Sequence, residues 1–161
     1  MLFRSVGYLY FPGLSKNHSV WGYWGYQNTR VNWRDRDNYT FRNKLPVARG
    51  ASVGRYEQMY AMSINYALPL WYPDLHIGPL INFKRVRLNG FTDYVFADNP
   101  GLSAITREAE SRTYLSAGAE VKFDVNFLRL LPEFDFGFRV GQVMLPNRKF
   151  FFEFLFGTVN F

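Results

Sequence analysis

The chain of 161 residues contains no cysteine and only two histidines. The lack of cysteine excludes a disulfide framework and any thiolate metal site, and is compatible with an oxidising compartment. His18 and His76 each sit beside a turn signal, and neither has a second ligand at metal spacing. They read as interface polar residues, with no metal or cofactor expected. Long apolar runs are missing too. The longest uncharged stretch, 58–73, has 16 residues and includes Gln58, Ser63, Asn65 and Pro69, short of the roughly 20 apolar residues of a spanning helix. Residues 1–20 lack a basic start, a continuous apolar stretch and a small-residue cleavage site, so no signal peptide is read there and any targeting segment is expected upstream. There is no Gly-x-Ser-x-Gly, no glycine-rich phosphate loop and no coenzyme fingerprint. Glu108 and Glu110 lie in a polar loop and read as solvated. A split catalytic set remains open on sequence grounds, but the expectation is a protein that is not an enzyme.

What the chain has in excess is aromatic residues: 17 Phe, 11 Tyr and 4 Trp, 20% of the whole. Such a load suits aromatic girdles at two membrane interfaces; an aromatic-rich soluble sandwich or barrel is the alternative. The net charge is +6 with a pI near 9.7, which admits nucleic acid, anionic lipid or lipopolysaccharide as partners. The distribution decides between them. Arg30, Arg34, Arg36, Arg42, Lys44 and Arg49 fall in one loop-like stretch opposed only by Asp35 and Asp37. No basic helix or zinc-knuckle spacing accompanies them, so nucleic acid is not expected.

Seven long strands are predicted, near 1–11, 18–33, 55–70, 75–97, 112–129, 133–145 and 149–161, forming one domain. Phe11-Pro12-Gly13, Trp71-Tyr72-Pro73-Asp74, Leu131-Pro132-Glu133 and Leu145-Pro146-Asn147-Arg148 supply turns, and 34–51 and 98–111 read as long polar loops. In the third strand Tyr60, Met62, Ile64, Tyr66, Leu68 and Leu70 share one face. In 75–97, Ile77, Ile81 and Phe83 are out of phase with Val86 and Leu88. A β-bulge near Lys84 or Arg85 repairs this, the alternative being a hairpin at Asn89-Gly90. The clearest strand is the fifth, where Leu115 to Phe127 are apolar at every odd position. Ser116, Glu120, Lys122, Asp124 and Asn126 line the even face, with the three charges as alternating-sign i, i+2 neighbours forming a wet wall. In the sixth, Phe134, Phe136, Phe138 and Val140 alternate with Asp135, Gly137, Arg139 and Gly141. In the last, Leu155, Gly157, Val159 and Phe161 share one face, which leaves the Phe-rich side (Phe152, Phe154, Phe156) for a lumen wall, less polar than such a wall should be.

Strands this long exceed the usual five or six residues of soluble sheets and meet the 9–11 tilted residues of a bilayer crossing. The connections alternate in length, the asymmetry of outer-membrane barrels. The reading is an all-β, antiparallel up-and-down transmembrane β-barrel. Because such a barrel closes on an even number, the seven strands are read as the C-terminal portion of a larger one.

The order of features resembles the BamA-like superfamily, the barrels of outer-membrane insertases and two-partner secretion transporters. Pro46-Val47-Ala48-Arg49-Gly50-Ala51 sits where that family has its Val-Arg-Gly-Phe/Tyr loop motif, and Asn89-Gly90-Phe91-Thr92-Asp93-Tyr94-Val95 where it has a Phe/Gly-x-Asp-x-Gly strand motif. Ala48, Ala51 and Val95 depart from the pattern, so the carry-over is confined to Arg49, Gly50, Phe91 and Asp93. The closing strand, with Gly157, Val159 and Phe161, is similar to the family's C-terminal insertion signal, although Phe156 holds the signal's usual Gly position. The resemblance implies the Gram-negative outer membrane, a loop tucked into the lumen with an Arg49–Asp93 pair, and a non-enzymatic role in protein insertion or translocation, or as the anchor of a larger periplasmic protein. It implies as partners outer-membrane lipid and lipopolysaccharide, substrate outer-membrane or secreted proteins, and upstream barrel strands or periplasmic domains. A passive porin-like channel or structural outer-membrane protein is the alternative, and an outer-membrane hydrolase a third reading.

Overall fold

The computed structural model describes residues 2–13, 17–29, 45–52, 56–73, 75–78, 80–100, 111–127 and 134–158. They form eight strands: β1 (Leu2–Pro12), β2 (Ser19–Thr29), β3 (Gln58–Trp71), β4 (Leu75–Ile77), β5 (Ile81–Asp98), β6 (Arg112–Phe127), β7 (Phe134–Leu145) and β8 (Lys149–Thr158). All pairings are antiparallel, in one sheet ordered β1-β2-β3-β5-β6-β7-β8, with β4 attached to β5. The described elements are therefore all strands, and the architecture is all-β. The sheet is open, with β1 and β8 as its edges. Six antiparallel steps along the seven strands of the main path leave these two edges pointing the same way.

Two expectations about strands change. The predicted segment 75–97 is divided: Gly78, at φ 61°, turns the chain so that Leu75–Ile77 folds back on Ile81–Phe83 as a short hairpin. The count is consequently eight, not seven. Asn89 and Gly90 do not turn; they lie within β5, opposite Glu120 and Ala119 of β6. Pairing slips between Phe83 and Arg85, leaving Lys84 as the extra residue. That bulge brings Phe83, Val86 and Leu88 into register with Val125, Phe123 and Val121, so the apolar residues on either side of Lys84 share a face.

The two faces differ sharply in chemistry. On the inner face lie Gln27, Asn65, Asp93, Ser116, Glu120 and Asp124, all buried. On the outer face Trp24, Tyr60, Met62, Ile64, Tyr94, Phe138 and Val140 are exposed. Cross-strand aromatic contacts knit this outer face: Tyr26 and Tyr60 at 4.5 Å, Phe123 and Phe136 at 5.2 Å, and Phe138 with both Phe152 and Phe154 at 5.6 Å. On β8, Phe150, Phe152, Phe154 and Phe156 continue the outer face, 76% and 70% exposed at the two ends of the row. This corrects the facing expected for the closing strand. Glu153 pairs opposite Arg139, which carries Leu155 and Gly157 to the inner face and the alternate phenylalanines outward. Val159 and Phe161 lie outside the described residues.

The apolar part of the interior gathers at one end of the inner face, where Tyr23, Leu45, Ala48, Tyr56, Met59, Ala61, Val95, Ala97 and Tyr114 form a cluster. Tyr56 and Tyr114 hydroxyls meet at 2.8 Å, and the Glu57 amide donates to Asn99 Oδ1 at 2.8 Å. Leu45 and Ala48 belong to the connection between β2 and β3, so part of the predicted polar loop packs as core and holds the residues between them against the sheet.

Candidate functional site

One row of paired residues crosses the inner face through five strands: Asn65, Phe91, Gly118, Gly141 and Phe151. Two glycines between two phenylalanines leave a depression floored by backbone. The Phe151 ring lies over Gly141, where a β-carbon would come within 2.6 Å of its Cζ. The connection preceding β3 descends onto this row. Ala51 N donates to Ala48 O at 3.1 Å, closing a β-turn whose third residue, Gly50, has φ 73°; glycine supplies that conformation at no steric cost. Arg49 is thereby aimed at the sheet, with Gly50 against the Phe151 ring.

Arg49 is held on every side. Its amide donates to Asp93 Oδ2 at 3.1 Å and its Nε lies 3.3 Å from the same oxygen. Nη1 donates to Glu120 Oε1 at 2.9 Å, and Nη2 to Asn65 Oδ1 at 2.7 Å and Ser63 Oγ at 3.4 Å. The guanidinium carbon sits 4.1 Å from the centre of the Phe91 ring, in cation–π range. Asp93 also accepts from Ser63 Oγ at 2.6 Å and from Ser116 Oγ at 3.5 Å. The structure thus brings together Arg49, Gly50, Phe91, Asp93, Ser116 and Glu120. Beside them, a cavity of about 160 Å³ opens between the loop and the rings of Tyr8, Trp21 and Tyr23.

The network continues to the sheet edge. Glu120 Oε1 accepts from Arg139 Nε at 2.7 Å, and Arg139 Nη1 donates to Glu153 Oε2 at 2.6 Å. Burying a carboxylate is costly unless it is paired and hydrogen-bonded. Glu120 meets this with two guanidiniums and the Asn89 amide at 3.4 Å.

Lys122, Asp124 and Asn126 are elsewhere. The expected charge pairing along β6 does not occur, because i, i+2 neighbours on a strand lie farther apart than facing residues on adjacent strands. Instead Lys122 donates to Asp135 at 3.0 Å, and Asp124, fully buried, is paired with Arg85 and with Arg87 at 2.5 Å. Asn126 stands opposite Asn82. Gly157 is opposite Asp135, far along β8 from the loop.

Ser63, Asn65, Asn89, Arg85, Arg87, Asp135 and Glu153 are not among the site residues expected from sequence. Ser63 and Asn65 carried a usable signal, as the polar positions on the non-apolar face of β3. His18 Nδ1 meets the Tyr66 hydroxyl at 2.7 Å, and no group of three metal-capable side chains occurs among the described residues. The arrangement is suited to locking a loop onto a sheet. Against protein-family models, curated proteins and solved structures, no match was found for the chain.

Proposed function

We propose that this chain forms part of the wall of a Gram-negative outer-membrane β-barrel of the BamA-like kind, acting in protein insertion or translocation or as the membrane anchor of a larger periplasmic protein. The observation that carries the reading is the inversion of the two faces. Charged and amide side chains are buried on the inner face, and a continuous field of Phe, Tyr, Trp, Met and Ile is exposed on the outer one. In water, burying each such side chain is worth about 1.5–3 kcal/mol, and soluble monomers rarely leave so wide an apolar patch uncovered. Hydrocarbon removes that conflict and turns the outer face into the lipid contact. The parallel edges of β1 and β8 mean that antiparallel closure takes an odd number of further strands between them, from another segment or another chain. The narrower family reading draws on the tucked Arg49 and its contacts with Phe91 and Asp93, the positions that the resemblance pairs with it. Lipid and lipopolysaccharide are then the outer partners, and unfolded outer-membrane or secreted proteins the cargo.

Single-tryptophan variants of the full chain, reconstituted in vesicles with brominated acyl chains, test the membrane reading. Trp24 on the outer face should be quenched and Trp21 on the inner face spared; an unquenched Trp24 rejects it. Vesicles bearing the chain should also speed folding of a urea-unfolded outer-membrane protein. Quenching without acceleration leaves the anchor role, and steady conductance in a planar bilayer would favour a passive channel instead.

A further inference from the structure

A second charged cluster, separate from the Arg49 network, lies on the inner face toward the β4 end of the sheet. It has an unusual register. Arg87 stands directly opposite Lys122, and Asp124 directly opposite Asp135, and like charges directly opposed across strands are destabilising. The side chains relieve this diagonally: Arg87 reaches Asp124 at 2.5 Å and Asp135 at 3.8 Å, and Lys122 reaches Asp135 at 3.0 Å. Arg85 also pairs with Asp124 through Nε. Three cations, Arg85, Arg87 and Lys122, thus face two carboxylates, an excess of one positive charge among the described residues.

The donor inventory points the same way. Arg85 uses Nε alone, and Arg87 uses Nε and Nη2. Both terminal nitrogens of Arg85 and Nη1 of Arg87 donate no hydrogen bond among the described residues. Both side chains are about one-third exposed, so these donors are reachable, while Asp124 beneath them is fully buried and fixes the two stems. Two guanidiniums held side by side with spare N–H groups form a fork suited to an oxyanion with several acceptor oxygens. We infer that Arg85 and Arg87, backed by Asp124, form a binding site for a phosphate-type oxyanion, either free phosphate or the phosphate of a lipid head group. The site rests on the sheet register and does not depend on the membrane reading.

The test is calorimetric titration of the full chain, in nonionic detergent at fixed ionic strength, with inorganic phosphate and separately with a short-chain phosphatidylglycerol below its micelle concentration. Saturable binding of either probe is expected. Arg85→Gln, which leaves Asp124 paired with Arg87, should weaken it at least about tenfold, the loss of one to two charge-assisted hydrogen bonds. Lys149→Gln, which removes the same charge at the opposite end of the sheet, should leave it unchanged. Asp135→Asn raises the local positive charge and should tighten binding, a readout that stands if the Arg85 variant does not fold. Saturation by phosphate alone assigns the free ion, and saturation by the lipid alone assigns the head group. No saturable binding of either probe to the folded chain overturns the proposal, as does equal binding by the Arg85→Gln protein; neither result bears on tryptophan quenching by lipid.

Discussion

Gly50 and Phe151 are in such close contact that a β-carbon on Gly50 would overlap the ring, although one lies in the connection before β3 and the other in the edge strand β8. Gly50 also has a φ of 73°, which costs an L side chain about 1–2 kcal/mol, and overpacking adds about 1–3 kcal/mol. Gly50→Ala should therefore destabilise the folded chain by about 2–5 kcal/mol in a urea titration. Phe151→Leu in the same background should restore part of the loss. A strictly additive double mutant would mean that the ring is not what excludes the methyl group.

Arg49 is the cation between two buried carboxylates, so its removal leaves charge without compensation. Arg49→Ala should cost about 3–5 kcal/mol, and Arg49→Lys less, because an ammonium keeps the charge but cannot span Asp93, Glu120 and Asn65 together. Asp93→Ala removes the acceptor of the Arg49 amide and should speed hydrogen exchange at that amide while β6–β7 amides stay protected. Unchanged exchange at Arg49 would show that the turn is held by packing of Leu45 and Ala48 alone.

Substitutions on the outer face separate lipid from water. Val140 is 53% exposed, and in a soluble sheet Val140→Arg would shift stability by no more than about 0.5 kcal/mol. Facing hydrocarbon near the bilayer midplane, it should cost about 2–4 kcal/mol. The comparison is between urea midpoints in vesicles, with Lys149→Arg as the neutral reference. A near-zero effect of Val140→Arg in vesicles would contradict a lipid-facing β7.

How much of this could be read from the residues depends on how unlike the two faces of each strand are. β6 alternates without exception from Leu115 to Asn126, and a bulge near Lys84 or Arg85 was legible because it puts Phe83 and Val86 on one face; the register places it at Lys84 and excludes the hairpin at Asn89-Gly90. The closing strand defeated the same reasoning. Both its faces are apolar, with Phe151 and Leu155 on one and Phe152, Phe154 and Phe156 on the other, so only Glu153 breaks the tie, and its meaning comes from standing opposite Arg139. The three-residue β4 was hidden inside a longer apolar run, with Gly78 the one mark of its turn. In the site, Arg49, Phe91 and Asp93 stood out through the resemblance. Ser63, Asn65 and Asn89 enter only through registers between strands distant in sequence, which alternation cannot specify.

Arg139 carries the last prediction because its two partners differ in environment. Its Nε bonds Glu120, which is buried, and its Nη1 bonds Glu153, which is 39% exposed on the edge strand. A carboxylate open to water gains about 0–1 kcal/mol from its ion pair, so Glu153→Gln should be nearly neutral. Glu120→Gln leaves Arg49 and Arg139 facing each other without the charge that separates them, and should cost about 3–5 kcal/mol. Arg139→Gln falls between, since Glu120 keeps Arg49 at 2.9 Å while Glu153 turns to solvent. Urea midpoints should fall from Glu153→Gln through Arg139→Gln to Glu120→Gln. An Arg139→Gln protein as unstable as Glu120→Gln would mean that β8 depends on the Arg139–Glu153 pair for its place in the sheet, in which case β8 amides should exchange faster in the Arg139→Gln protein and not in Glu120→Gln.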